Sequence, residues 1–144
     1  MDILAPVSTI MTKKLLTVNP KDKLSVVKEI FDNNKIHHIP VVRFKTLVGM
    51  VSKSDLLYFI KGAAQEGGYD DMLNEARLNN YTADEIMTTG LAKVSPSDRI
   101  GVAIEVFKEN LFHAIPVVEN DELVGILTTY DIISSLSVKD QKAI

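Results

Sequence analysis

Leu47-Val48-Gly49-Met50-Val51-Ser52-Lys53-Ser54-Asp55-Leu56-Leu57 is the stretch whose reading decides the fold. An apolar run holding a glycine leads into Ser-x-x-Asp, and a second apolar run follows. That order predicts a buried strand, a sharp corner and a helix start. The same wording returns at Leu123-Val124-Gly125-Ile126-Leu127-Thr128-Thr129-Tyr130-Asp131-Ile132-Ile133, 76 residues further on. Holding that offset without a gap pairs residues 7–60 with 83–136, and 20 of the 54 pairs are identical. The chain is therefore a tandem repeat, and function is expected where the two copies meet.

The 144 residues suffice for one ordinary globular body, which at this length buries about 68–70% of its unfolded surface. One copy alone is marginal by the same scaling, so the copies are expected to share a core. Hydrophobic residues make up 46% and charged residues 24%, as in an average soluble domain. A net charge of −3 with no basic cluster argues against a nucleic-acid or anionic-membrane partner. The chain has no cysteine, which excludes disulfides, thiolate catalysis and cysteine metal sites. The apolar run Leu56–Ile60 is far too short to span a bilayer. Met1–Pro6 lacks the basic start and apolar core of a signal peptide, so a cytoplasmic protein is expected.

In order along the chain, Pro6 opens a brief helix through Met11, and Leu15–Val18 is a short strand ended by Asn19-Pro20. Asp22 is the expected N-cap of a helix from about Lys23 to Asn33, whose Leu24, Val27, Ile30 and Phe31 recur at helical spacing. Ile39-Pro40-Val41-Val42 reads as a buried strand, with Pro40 at its start or edge. Lys45-Thr46 is the corner into the strand Leu47–Val51, and a helix starts near Ser52. That helix carries Leu56 to Ile60 in succession, apolar all round, so it wants burial on two sides. A second copy of the chain is the simplest cover, hence an expected homodimer on this helix and its counterpart with Ile132, Ile133 and Leu136. Residues 61–82 have no counterpart in the repeat and read as a linker helix near Asp70–Leu78. The second copy restarts at Ala83, with Leu91–Val94 as first strand, Ser95-Pro96-Ser97-Asp98 as turn and cap, and Asn120-Asp121-Glu122 as the later turn. Its last helix is expected to run to about Leu136, with 137–144 a frayed tail.

Ser52-x-x-Asp55 and Thr128-x-x-Asp131 have two readings. In the first, they cap helix N-termini, close to a capping box. In the second, a carboxylate beside the N–H donors of a helix start accepts the hydroxyls of a ribose. Gly49 and Gly125 would let another backbone or a flat ring approach closely. His37 and His113 align, whereas His38 is matched by Ala114. Adjacent strand residues face opposite ways, so His37 and His38 cannot share a metal, and none is expected. The chain carries no G-x-S-x-G elbow, P-loop or G-x-G-x-x-G. Duplicated identical sites suit binding better than a triad's asymmetric roles, so no enzyme is expected.

Ile-Met-Thr opening each copy, His-x-Ile-Pro-Val-Val in the middle and Val-Gly-x-x-[ST]-x-x-Asp at the end resemble cystathionine-β-synthase-type (CBS) domains, and two in tandem resemble a Bateman module. The resemblance covers 1–60 and 83–136. It implies an α+β fold of two β-α-β-β-α repeats packed sheet to sheet about a pseudo-twofold axis. It also implies adenosine-containing ligands (AMP, ADP, ATP or S-adenosylmethionine) in clefts between the copies. By position, Asp55 and Asp131 would hold ribose, with Ser52 and Thr128 assisting. Leu16, Thr17, Val18 and Ala92, Lys93, Val94 would border the adenine. His37, His38, Ile39, Pro40 and His113, Ala114, Ile115, Pro116 would line the clefts. Adenylate-sensing members carry a phosphate-gripping arginine where this chain has His38, so phosphate recognition is expected to be lopsided, His38 against Ala114. The resemblance implies a stand-alone regulatory protein that signals by conformational change to a protein partner. The competing reading is a dimerisation scaffold with no bound nucleotide.

Overall fold

The computed structural model describes residues 1–67, 71–110 and 113–143. The chain divides into two compact units. One is contiguous, Leu16–Gly90, and the other is made of two segments, Met1–Leu15 and Leu91–Ile144. The contiguous unit holds α1 (Leu24–Asn33), β1 (His38–Arg43), β2 (Thr46–Ser52), α2 (Lys53–Gly67), α3 (Asp71–Asn80) and the short α4 (Ala83–Ile86). The two-segment unit holds a 3-10 turn at Val7–Thr9, then α5 (Ile100–Asn110), β3 (Ala114–Glu119), β4 (Glu122–Thr128) and α6 (Thr129–Ala143). The fold is mixed, with helices packed on antiparallel hairpins, as the repeat implied.

Each unit has its own core. In the contiguous unit Leu24, Val27 and Phe31 of α1 meet Ile39, Val41, Val51 and Leu56. In the other, Val7 joins Ala103, Phe107, Ile115, Val117 and Leu127. Val7 is fully buried, so the N-terminal arm is part of that core rather than a loose lead-in. Burying a valine this completely contributes about 1.5–3 kcal/mol.

Two helix starts differ from expectation for one reason. Asp22 does not cap α1: its carboxylate accepts the Asn19 N–H at 2.8 Å, and Asp98 accepts that of Ser95 at 2.7 Å. Both aspartates close the turn before the helix. The orphan donors at the helix start go to backbone carbonyls far away in sequence. Leu24 N–H donates to Tyr81 C=O, and Ile100 and Gly101 N–H donate to Ala5 and Ile3 C=O, each at 2.9 Å.

The expected first strand of each copy shrinks to one residue. Val18 N–H donates to Pro40 C=O, Val42 N–H donates to Val18 C=O, and Val94 repeats this with Pro116 and Val118. Asn19-Pro20 and Ser95-Pro96 then turn the chain away, because proline offers no further donor. Pro40 lies within β1, opposite Met50, and its ring nitrogen faces this one-residue edge, where no ladder donor is required.

The hairpin corners are two-residue turns with both central residues at positive φ. Phe44 (54°) and Lys45 (86°) form the first, Asn120 (53°) and Asp121 (65°) the second. Such turns match the strand twist and favour Asn and Asp. The second corner fits that chemistry. The first places an aromatic where the pattern pointed to Lys45-Thr46, and Thr46 instead begins β2. α3 lies where a linker helix was expected, and Leu78 is buried with the α1 and α2 side chains. The helical backbone of the final helix extends to Ala143. Among the described residues, no helix is long and apolar enough to cross a membrane.

Among its described side chains, α2 is buried on one stripe. Leu56 is core, Phe59 and Ile60 are half-buried, and Leu57 and Tyr58 remain 47% and 82% exposed. On α6, Tyr130 and Ile133 are likewise 75% and 63% exposed.

Candidate functional site

Both Ser/Thr-x-x-Asp corners close as reciprocal caps. Ser52 N–H donates to Asp55 Oδ2 at 3.3 Å, and Asp55 N–H donates to Ser52 Oγ at 3.0 Å. Thr128 N–H donates to Asp131 Oδ2 at 2.9 Å, and Asp131 N–H donates to Thr128 Oγ1 at 3.2 Å. The capping reading is therefore correct, and it leaves the second reading open. The cap uses one oxygen of each carboxylate, and each oxygen carries two lone pairs. Both aspartates are half-buried, so a carboxylate stands at the first turn of α2 and α6 with acceptor capacity to spare.

The strands bring the other named residues around these corners, unit by unit. In the contiguous unit His38 lies opposite Ser52 in the β1–β2 register, and His37 C=O accepts the Lys53 N–H at 2.8 Å. In the other, Ala114 lies opposite Thr128, and His113 C=O accepts the Thr129 N–H at 3.1 Å. His37 and His113 are exposed, whereas His38 and Ala114 are half-buried.

Several named positions are buried. Val18 and Ile39 belong to one core, Val94 and Ile115 to the other, and Pro40 and Pro116 are buried. The N–H and C=O of Val18 and Val94 are already paired. Leu16, Thr17 and Lys93 are exposed and Ala92 is half-buried. Among the described residues, no group of three or more His, Asp or Glu side chains could hold a metal ion.

Sequence reasoning missed the work done by Ile-Met-Thr. In each unit this motif comes from the opening residues of the other copy. Thr88 N–H donates to Met50 C=O at 2.8 Å and Met50 N–H to Thr88 C=O at 3.0 Å; Thr12 and Ile126 exchange the same pair at 2.9 and 3.0 Å. The glycines make room for it. A Cβ on Gly49 would stand 2.4 Å from Met87 Sδ, and one on Gly125 would stand 2.7 Å from Met11 Sδ, with Thr88 or Thr12 C=O at 3.1 Å. Backbone approach, one of the two roles considered for these glycines, is realised. It sets Thr12 beside the α6 corner, where Thr12 Oγ1 donates to Asp131 Oδ1 at 2.9 Å. The signal was present in the sequence as a threonine recurring at the 76-residue offset.

The CBS domain family model matches residues 7–62 and again 83–138. The inosine-5'-monophosphate dehydrogenase of Thermoplasma acidophilum is 26% identical over 133 residues, 92% of this chain but 24% of the enzyme. The chain thus spans about a quarter of that relative's length. The crystal structure of CBSX2 from Arabidopsis thaliana in complex with AMP is 27% identical, with a TM-score of 0.75 over 94% of this chain and 98% of that one. The CBS domain pair of protein MJ0100, in complex with 5-methylthioadenosine and S-adenosyl-L-methionine, is alike in fold, with 22% identity and a TM-score of 0.74 over 94% and 98%. With the family model matched over both copies and the same folded unit built twice, the chain belongs to the CBS domain family, as a tandem CBS pair.

Proposed function

We propose that this chain is a regulatory module that binds an adenosine-containing small molecule (AMP, ADP, ATP or S-adenosylmethionine) and passes the event on as a change of conformation read by a protein partner. The observation that carries the reading is the duplicated carboxylate at the start of α2 and α6, capped through one oxygen and half-exposed. Ribose offers two vicinal hydroxyl donors, and an aspartate at a helix start accepts them. Relatives with AMP or S-adenosyl-L-methionine bound support this ligand class. His38 of the contiguous unit could bring positive charge to a phosphate, and its counterpart Ala114 cannot.

Isothermal calorimetry with adenosine, AMP, ADP, ATP and S-adenosylmethionine tests this. Hydrogen bonds to a charged group contribute about 1.5–3 kcal/mol, so Asp55→Ala or Asp131→Ala should weaken binding about 10- to 150-fold at the site concerned. Affinity unchanged in both single variants and in the double variant would sink the reading. Silence with every compound, together with sedimentation at twice the 16.0 kDa chain mass, would favour a dimerisation scaffold instead, which the exposed Leu57, Tyr58, Tyr130 and Ile133 would suit.

A further inference from the structure

The two candidate carboxylates are not in the same state. Each is capped through Oδ2 by the residue three positions back. Oδ1 of Asp131 also accepts the Thr12 hydroxyl at 2.9 Å. Thr88 occupies the equivalent position in the contiguous unit, anchored by the same pair of backbone hydrogen bonds. Among the described residues, however, no side chain or backbone group donates to Asp55 Oδ1. Ser52 Oγ, beside it, instead lies 3.1 Å from Ser54 Oγ, and the α6 corner has Tyr130 where Ser54 stands.

We propose that Thr12 is a latch on Asp131: its hydroxyl competes with the ligand's ribose hydroxyls for that carboxylate, so that Asp55 is the carboxylate that binds first. This rests on the adenosine-binding reading above. Thr12 is held in place from both sides, by its backbone pairing with Ile126 and by Met11 packed over Gly125. Its hydroxyl therefore reaches Asp131 without ordering a loose chain, which makes it an effective competitor. A ligand whose two ribose hydroxyls both settle on Asp131 Oδ1 displaces the threonine hydroxyl, since that oxygen has two lone pairs, and the freed threonine sits on the arm that contributes Val7 to the core of its unit. Occupancy of Asp131 is thereby tied to the seating of the arm, whereas occupancy of Asp55 costs no such exchange.

The test separates the two carboxylates. In an Asp55→Ala background, which leaves Asp131 as the ribose acceptor, AMP affinity is measured for Thr12, Thr12→Val and Thr12→Ser. The hydroxyl is exchanged for water rather than simply lost, so Thr12→Val should tighten AMP binding by about 3- to 10-fold. Thr12→Ser should leave it near the starting value. In an Asp131→Ala background, Thr88→Val should change nothing. A Thr12→Val variant that binds AMP no better, or more weakly, in the Asp55→Ala background overturns the latch while leaving the adenosine reading standing. A second readout needs no ligand. If the latch exists, the losses in thermal midpoint from Thr12→Val and Asp131→Ala are non-additive, and those from Thr88→Val and Asp55→Ala are additive. Should no adenosine compound bind at all, the adenosine reading fails, and additive losses at Thr12 and Asp131 would then remove the latch as well.

Discussion

Phe59, Tyr81, Lys21 and Asp84 of the contiguous unit stand 76 residues from Ser135, Ala5, Ser97 and Ser8 of the two-segment unit. In the first group the rings of Phe59 and Tyr81 meet edge to face at 5.1 Å. The Arg77 guanidinium lies over both, 4.7 Å from Phe59 and 5.7 Å from Tyr81. Lys21 Nζ reaches Asp84 Oδ2 at 2.8 Å. None of these side-chain contacts can form in the second group, whose residues are small. The difference follows α3, which lies outside the aligned copies. α3 packs against α1 and α2, and the aromatic–arginine cluster holds its C-terminal end. Among the described residues, the two-segment unit has no counterpart of α3. What the units share instead is the glycine–methionine contact and the backbone pairing of Ile-Met-Thr, which locate the carboxylate corners.

If that division is right, the aromatic cluster should matter to one unit only. Phe59→Ala removes a half-buried ring with two aromatic or cationic neighbours, and should cost about 2–3 kcal/mol. Ser135→Ala at the matching place should stay within about 0.5 kcal/mol. Urea unfolding of the two variants side by side reads the difference, and equal losses would break the comparison.

The shared contact should instead behave alike in both units. Gly49→Ala and Gly125→Ala each force a methionine thioether to move and press on a backbone carbonyl, at a cost of about 1–2 kcal/mol. Combining each with the methionine truncation, Met87→Ala or Met11→Ala, should cost less than the sum of the parts, because the truncation opens the space. A loss confined to one glycine would show that the two corners are built differently.

The smallest effect is electrostatic. Hydrogen bonds from Lys21 first, then from the Thr82 hydroxyl, hold the Asp84 carboxyl below the ordinary carboxylate value. A carboxyl lowered on folding contributes stability that is fully present above its unfolded value, near pH 4, and that is lost as pH falls through the lower folded value. Lys21 is 76% exposed, so solvent screening keeps the contribution small. Denaturation midpoints followed from pH 5 down to pH 2 should fall less steeply for Asp84→Asn than for the native chain. Ser8→Ala, at the matching place in the other unit, should leave the slope unchanged.

How much of this could be read in the chain depended on whether the information was local. The repeat, the strand-to-helix corners and their Ser/Thr–Asp caps follow from contiguous residues, and the structure has them where the pattern put them. The glycines were legible only as a need for close approach. What approaches them comes from a segment about 38 residues away in one unit and 114 in the other, as the Met50–Thr88 and Thr12–Ile126 pairs show. Because the two copies look alike, nothing in Ile-Met-Thr says which copy's strand it will pair with. The same blindness misassigned Asp22 and Asp98. An aspartate just before a helix looks like a cap when the true partners of the helix N–H groups, the carbonyls of Tyr81, Ala5 and Ile3, lie in other parts of the chain. Thr12 escaped notice because its partner is 119 residues distant.

That wiring has a consequence for the order of assembly. Everything the contiguous unit needs lies within residues 16–90, so it can complete itself while the ribosome is still adding the second half. The other unit cannot close then, since residues 1–15 must wait for β4, whose Ile126 pairs with Thr12. Spanning 114 residues instead of 38 adds about 1 kcal/mol of closure entropy for a flexible chain, and contacts of such long separation form slowly. The arm bearing Val7, Met11 and Thr12 is thus made well before the strand it pairs with and must wait for that strand to find its place.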